Sequence, residues 1–228
     1  MRLHVVVPAA GRGRRLGGAL PKQYLPLGGR PVLDHVLARL LALDPVQLVV
    51  ALAPGDERFA TLAAARDPRV RSVTGGGERA ESVARALAAL EGVAADDWVL
   101  VHDAARPCLD PADAKRLLAA VADSPVGGLL ACPVSDTLKV DDGRGRSART
   151  LDREGLWAAQ TPQVFRHQVL RRALAVCRER GIAPTDEAMA VEQLGLAPIL
   201  VPGRRDNLKI TVPEDLRLAE ALLAGGRG

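Results

Sequence analysis

The chain has 228 residues, 48% of them hydrophobic and 25% charged, with a formal net charge of +4 at pH 7. That length and balance fit one large domain that buries its own core, and they exclude intrinsic disorder. They exclude a membrane span as well, because no apolar run approaches the ~18 residues that a bilayer crossing needs. The modest positive charge suits an anionic small molecule. Nucleic-acid binding is disfavoured, since Tyr24, Phe59, Trp98, Trp157 and Phe165 are scattered rather than interleaved with basic residues. Cys108, Cys132 and Cys177 are odd in number and widely spaced. That argues against a disulfide framework or a structural zinc site and for a reducing compartment. The basic cluster follows the first apolar stretch, the reverse of a secretory signal, so the expected location is the cytoplasm.

In chain order, Leu3 to Val7 is an apolar run interrupted only by His4, as expected of a strand covered on both faces. Pro31 to Leu43 spaces Val32, Val36 and Leu40 four apart, with Leu33 and Leu37 beside them, and predicts a helix. Gln47 to Leu52 reads as strand, Arg58 to Arg66 as helix, Val70 to Thr74 as strand and Glu78 to Leu90 as helix. Trp98 to Val101 is a strand, Pro111 to Ala122 a helix opening with proline, and Gly128 to Cys132 a strand. This alternation predicts a single α/β domain over residues 1–228, Rossmann-like, with a mostly parallel central sheet flanked by helices.

The alternation breaks at about residues 134–159. There Asp141-Asp142-Gly143-Arg144-Gly145 is turn chemistry between two β-prone pieces, Thr137 to Val140 and Thr150 to Asp152. The expectation is a β-hairpin arm leaving the body; a plain surface loop is the alternative. Helices resume at Arg166 to Arg180 and Thr185 to Leu194. The last begins near Pro213, with Thr211 and Glu214 spaced as a capping box.

Four segments carry candidate chemistry. The first is the turn after strand one, Pro8-Ala9-Ala10-Gly11-Arg12-Gly13-Arg14-Arg15-Leu16, whose glycines let backbone amides approach phosphate oxygens. It is not a dinucleotide fingerprint, because Leu16 stands where the third glycine belongs, and no Walker lysine follows. Arg12, Arg14, Arg15 and Lys22 lie within eleven residues. That density fits a nucleoside triphosphate meeting a second phosphorylated substrate; a solvated basic loop is the plainer alternative. The second segment is Gly75-Gly76-Gly77 running to Ser82, where a flat base can pack on backbone, or where the chain simply turns.

The third segment delivers Asp103 and Arg106 just past a buried strand. Asp103 suits a ribose hydroxyl or Mg²⁺ held through water, unless it only pairs with Arg106. In the fourth, Lys209 sits in an apolar strand end, which is costly unless it meets an anion or reaches solvent. Thr185-Asp186-Glu187 reads mainly as a helix cap. His4, His35, His102 and His167 make no metal-ligand pair, no G-x-S-x-G elbow occurs, and no general base stands out. A phosphate-monoester nucleophile needs none. It is largely dianionic at neutral pH, so it needs repulsion relieved rather than a proton removed.

Together these residues resemble the 2-C-methyl-D-erythritol 4-phosphate cytidylyltransferases of the non-mevalonate isoprenoid pathway. The resemblance covers essentially the whole chain. It rests on Pro8-Ala9-Ala10-Gly11-x-Gly13-x-Arg15, Pro21-Lys22-Gln23-Tyr24, Glu78-Arg79-x-x-Ser82-Val83 and Val101-His102-Asp103-Ala104-Ala105-Arg106-Pro107. Further on it rests on Asp136-Thr137, Asp152-Arg153-x-x-Leu156-Trp157, Gln160-Thr161-Pro162-Gln163, Thr185-Asp186-Glu187-Ala188 and Asn207-x-Lys209-x-Thr211. One departure is Gly77, in place of an Asp beside the cytosine.

The resemblance implies CMP transfer from CTP to 2-C-methyl-D-erythritol 4-phosphate with release of diphosphate, supported by Mg²⁺. It implies Arg15 and Lys22 as cations at the α-phosphorus, and Arg153, Lys209 and Thr137 as contacts of the polyol phosphate. Ala9, Ala10, Gly11, Gly13, Gly76, Ser82 and Asp103 are the implied nucleotide contacts, with Arg106 and Thr161 as further substrate-binding residues. It also implies a homodimer in which the arm crosses to the neighbouring site. Two rival readings stand beside it: a cytidylyltransferase for another polyol phosphate such as ribitol 5-phosphate, and a non-catalytic nucleotide-binding regulator.

Overall fold

The structure, a computed structural model, describes residues 2–11 and 20–225. Its first strand, β1 (Leu3–Ala9), forms where the apolar run demanded it, and Val5, Val6 and Val7 are fully buried. After the short ribbon of β2 (Pro26–Leu27) and β3 (Arg30–Pro31), α1 (Val32–Leu41) buries Leu33, Val36, Leu37 and Leu40 on one face. Then come β4 (Gln47–Leu52), β5 (Val70–Thr74), α2 (Arg79–Ala88), β6 (Trp98–Val101), α3 (Pro111–Ala120) and β7 (Gly127–Pro133). The hairpin is β8 (Leu138–Asp141) with β9 (Ser147–Leu151), and β10 (Trp157–Arg166) returns to the body. The chain finishes with α4 (His167–Glu179), α5 (Glu187–Glu192), β11 (Ile199–Pro202) and α6 (Pro213–Ala224).

Seven strands form one sheet in the order β11-β7-β10-β6-β1-β4-β5. β1 runs parallel to both β4 and β6, and β10 runs antiparallel to β6 and β7, so the sheet is mixed but mostly parallel. Alternate side chains feed two cores. Val5, Val7, Leu48, Val50 and Leu100 pack with α1 and α3 on one face. Val6, Val49, Ala51, Val99 and Val101 pack with α2, α4 and α5 on the other. A third cluster seats α6 through Ala219 against Leu27, Val32, Cys108 and Ile210. All three cysteines are buried free thiols.

Four expectations are corrected. Arg58 to Arg66 is not one α-helix but two 3₁₀ turns, Phe59–Thr61 and Ala64–Arg66. The buried residues there are Phe59, Leu62 and Ala64, and the carboxylates of Asp56 and Asp34 take the Phe59 and Ala64 amides. Such side-chain acceptors compete with continuous helix. Strands β10 and β11 were not expected. β10 carries Gln160-Thr161-Pro162-Gln163 within a register shift, which hides its alternation, and β11 is four residues ending in proline. The segment around Lys209 is not a strand. Finally, Asp215 and not Glu214 caps α6, its Oδ2 accepting from the Thr211 amide, the Thr211 hydroxyl and the Val212 amide.

The hairpin arm is present. It forms its own two-stranded sheet, and nearly every residue from Ser135 to Leu156 is exposed or half-buried. Turn chemistry at its tip is as expected: Asp141 Oδ1 accepts from the Gly143 and Gly145 amides.

Candidate active site

After β1 the chain moves to β4 and β5 on one side, then returns through α2 to β6 on the other. The carboxyl ends of β1 and β6 therefore flank a topological switch point, where open α/β sheets bind ligands. A cleft lies there. Its walls are Pro8 to Gly11 after β1, Lys22 and Gln23, Gly76 to Arg79 with Ser82 at the start of α2, Asp103 to Ala105 after β6, and Lys209.

Each wall has a local cause. Gln23 is buried and donates from Nε2 to the Ala9 carbonyl at 2.8 Å, tying the turn that carries Lys22 to the end of β1. Lys22 reaches the Ile210 carbonyl at 3.4 Å, and its charge also favours ionised Asp215. Gly75 is needed for close approach, because a Cβ there would stand 2.6 Å from the Ala10 Cβ and 2.9 Å from the Ser82 hydroxyl. Ser82 is buried in this loop; its Oγ accepts from the Gly76 amide at 3.0 Å and donates to the Glu78 carbonyl at 3.1 Å. The glycine run is thus both a tight turn and one wall of the cleft.

Asp103 is the electrostatic centre. Its Oδ1 accepts from Arg79 Nε at 3.1 Å, its Oδ2 meets Lys209 Nζ at 2.9 Å, and Arg106 Nε lies 3.5 Å from Oδ2. Burial works against the charged carboxylate, but Arg79, Lys209 and Arg106 outweigh it and hold the group far below the usual carboxylate range. The anion that Lys209 requires is therefore Asp103. The Asp103–Arg106 pair foreseen as a brace exists as one side of a larger cluster.

Arg79 also reaches away from the cleft, donating from both terminal nitrogens to Glu187 at 2.6 and 3.0 Å. Burial disfavours its charge, yet Glu187 and Asp103 together raise it above the ordinary arginine value. Glu187 is 1% exposed; burial pushes its carboxyl up, and Arg79 opposes that rise.

Below the cleft, the Asp103 amide donates to Thr161 Oγ1 at 3.0 Å, and that hydroxyl meets His102 Nδ1 at 3.1 Å. His102 Nε2 lies 3.1 Å from the Arg106 carbonyl, an acceptor, so Nε2 carries the proton and Nδ1 accepts from Thr161. Burial pushes the His102 pKa down to about 4 despite the Arg106 carbonyl and Asp103. The unfolded chain takes up this proton near pH 6.5 and the folded one near 4, so this contribution is complete above 6.5 and fades as pH falls towards 4. The expected loss is roughly 3 kcal/mol. In thermal melts, His102→Gln should flatten the fall of Tm between pH 6.5 and 4; parallel curves for the two proteins would contradict the assignment.

The structure brings Ala9, Ala10, Gly11, Lys22, Gly76, Ser82, Asp103 and Lys209 together. Gly13 and Arg15 lie outside the described residues. Thr161 and Arg106 sit behind the cleft wall, Arg106 donating to the Asn207 carbonyl at 2.6 Å. Thr137 and Arg153 are exposed on the arm and are not among the described residues lining the cleft. Sequence reasoning missed Arg79, Gln23 and Glu187 as site-building groups. Their only signal was membership of the motifs that carry the family resemblance, and Glu187 read as part of a helix cap. Among the described residues no group of three His, Cys, Asp or Glu side chains could hold a metal, and both Asp103 oxygens face cations. Among the described residues no carboxylate cluster would chelate a magnesium ion without the phosphates of a bound nucleotide.

A glycine-walled, cation-rich cleft at the switch point of a doubly wound sheet defines a nucleotide-binding α/β protein. Residues 3–225 match the model of the 2-C-methyl-D-erythritol 4-phosphate cytidylyltransferase family, and the chain belongs to that family. A relative of that name from Chromohalobacter salexigens is 56% identical over 98% of this chain and 90% of its own length. One from Pseudomonas putida is 49% identical over 97% and 96%. Among solved structures, that of a 4-diphosphocytidyl-2C-methyl-D-erythritol synthase superposes with a TM-score of 0.84 at 40% identity, covering 97% of this chain and 99% of that one. The Thermus thermophilus cytidylyltransferase gives 0.83 at 37% identity, covering 98% and 100%. Among the described residues no helix is long and apolar enough to cross a membrane.

Proposed function

We propose that the cleft transfers the cytidylyl group of CTP to 2-C-methyl-D-erythritol 4-phosphate, a step of isoprenoid biosynthesis. One observation carries the reading: the glycine walls, Asp103, Lys22 and Lys209 converge on one cleft in a chain of this family. The base and ribose lie against Ala9 to Gly11, Gly76, Ser82 and Asp103, and the triphosphate extends towards Lys22, with Arg15, outside the described residues, as the further cation that the family resemblance implies. A phosphate oxygen of the acceptor attacks the α-phosphorus, the bond to the β-phosphate oxygen breaks, and diphosphate leaves. Both reactants are anions, so fixed cations do the work by offsetting repulsion and meeting charge that grows in line. Magnesium enters with the triphosphate as part of the substrate.

The acceptor phosphate requires Lys209 together with Arg153 and Thr137. The last two belong to an arm that buries little of itself in one chain, which supports a homodimer with exchanged arms. The chemistry takes place in the cytoplasm in this reading.

Diphosphate release separates the substrates. With CTP and magnesium, methylerythritol phosphate should turn over at least about 10²-fold faster than ribitol 5-phosphate, the scale expected where a site pairs the substrate's hydroxyls. Equal turnover, or release only with ribitol phosphate, would assign another acceptor. Binding of CTP without any release would mark a regulator.

A further inference from the structure

Asp103 is held from two directions that begin at one place. From β10, Thr161 Oγ1 accepts its amide, fixing the main chain. Two residues on, Gln163 Oε1 accepts the Ala188 amide at 2.8 Å and its Nε2 donates to Asp186 at 2.9 Å, fastening the first turn of α5. That turn presents Glu187, buried and outside the cleft wall, to the two terminal nitrogens of Arg79. With both terminal nitrogens committed, the guanidinium plane is fixed and its Nε–H faces Asp103 Oδ1. A bidentate pair gives this directional control, which a single contact would not.

We propose that Glu187 is a positioning residue, acting through Arg79 to orient the Asp103 carboxylate for the nucleotide. This deepens the cytidylyltransferase reading of the cleft and rests on its placement of Asp103 against the ribose. The argument is geometric: released from Glu187, the guanidinium can turn its terminal nitrogens onto Asp103, occupying acceptor positions that a ligand hydroxyl uses. The effect should therefore fall on the nucleotide and not on the polyol phosphate.

Glu187→Gln tests it, keeping shape while removing the charge and one acceptor. MgCTP affinity by titration and the KM for each substrate are measured in this variant, in Asp103→Asn and in the double variant. Glu187→Gln alone should weaken MgCTP binding about tenfold and raise the KM for CTP, leaving the KM for methylerythritol phosphate within about twofold. In the Asp103→Asn background the same change should cost less than about twofold, because no carboxylate remains to be oriented. A merely structural role predicts equal penalties in both backgrounds, and that result would overturn the proposal while leaving the nucleotide reading intact. If Asp103→Asn alone left MgCTP affinity unchanged, both would fail. Should Glu187→Gln not fold, Glu187→Asp serves, since a carboxylate one methylene shorter cannot reach both terminal nitrogens of Arg79 from the same backbone position, and the same pattern is required of it.

Discussion

Replacing Lys22 by alanine should lower kcat by about 10²–10³-fold while leaving the fold intact. The size follows from the task. Lys22 lines the cleft at the end of β1, on a short turn anchored by Gln23, so its ammonium is already placed before substrate arrives. A fixed charge of this kind loses no reorganisation energy as negative charge develops at phosphorus, and deleting one such donor typically costs about 3–4 kcal/mol of barrier. Stability should barely change, because Lys22 is only half-buried and the apolar contacts of Tyr24 and Leu27 beside it remain. Unaltered circular dichroism with collapsed diphosphate release is the expected pair of results. A near-normal kcat would remove Lys22 from the chemistry.

The second large effect concerns the arm. Arg153→Ala should mainly impair use of methylerythritol phosphate, raising its KM and depressing kcat/KM by about 10²-fold, with MgCTP affinity kept. Mixing this variant with Lys22→Ala tests whether sites are shared. If each cleft takes its own Lys22 and its neighbour's Arg153, a mixed dimer contains one doubly damaged and one intact site. Random mixing puts half the dimers in that class, so activity should return to roughly a quarter of the unmutated rate. Cleft and arm acting within one chain would give no recovery.

Much of this architecture is written in local chemistry. β4 and β6 follow their apolar runs, because a strand covered on both faces favours an apolar residue at nearly every position, whereas the edge strand β5 alternates and is half-exposed. β10 escapes that logic. Its middle is polar because Gln160, Thr161 and Gln163 are structural donors and acceptors: Gln160 to the Arg204 carbonyl, Thr161 to His102, Gln163 to α5. Buried hydrogen-bonding side chains look like loop residues in a sequence.

The site divides the same way. Its glycine walls and cations announce themselves by composition and by position after strands. The link from Glu187 through Arg79 to Asp103 does not, since its ends lie 84 residues apart in sequence (187 minus 103) and only the folded chain brings them together. A charged residue at a helix start reads as a cap until its partner is seen. Lys209 shows the converse: its need for an anion was legible, but the identity of that anion was not, because the pairing depends on the Ile210 amide docking on the Ala105 carbonyl.

The most direct measurement is a crystal structure with CTP and magnesium bound. It should place the cytosine against Gly76 and Ser82, a ribose hydroxyl on Asp103, and the triphosphate within hydrogen-bonding reach of Lys22 Nζ. A triphosphate lodged away from Lys22, with the cleft between β1 and β6 left to solvent, would contradict the account.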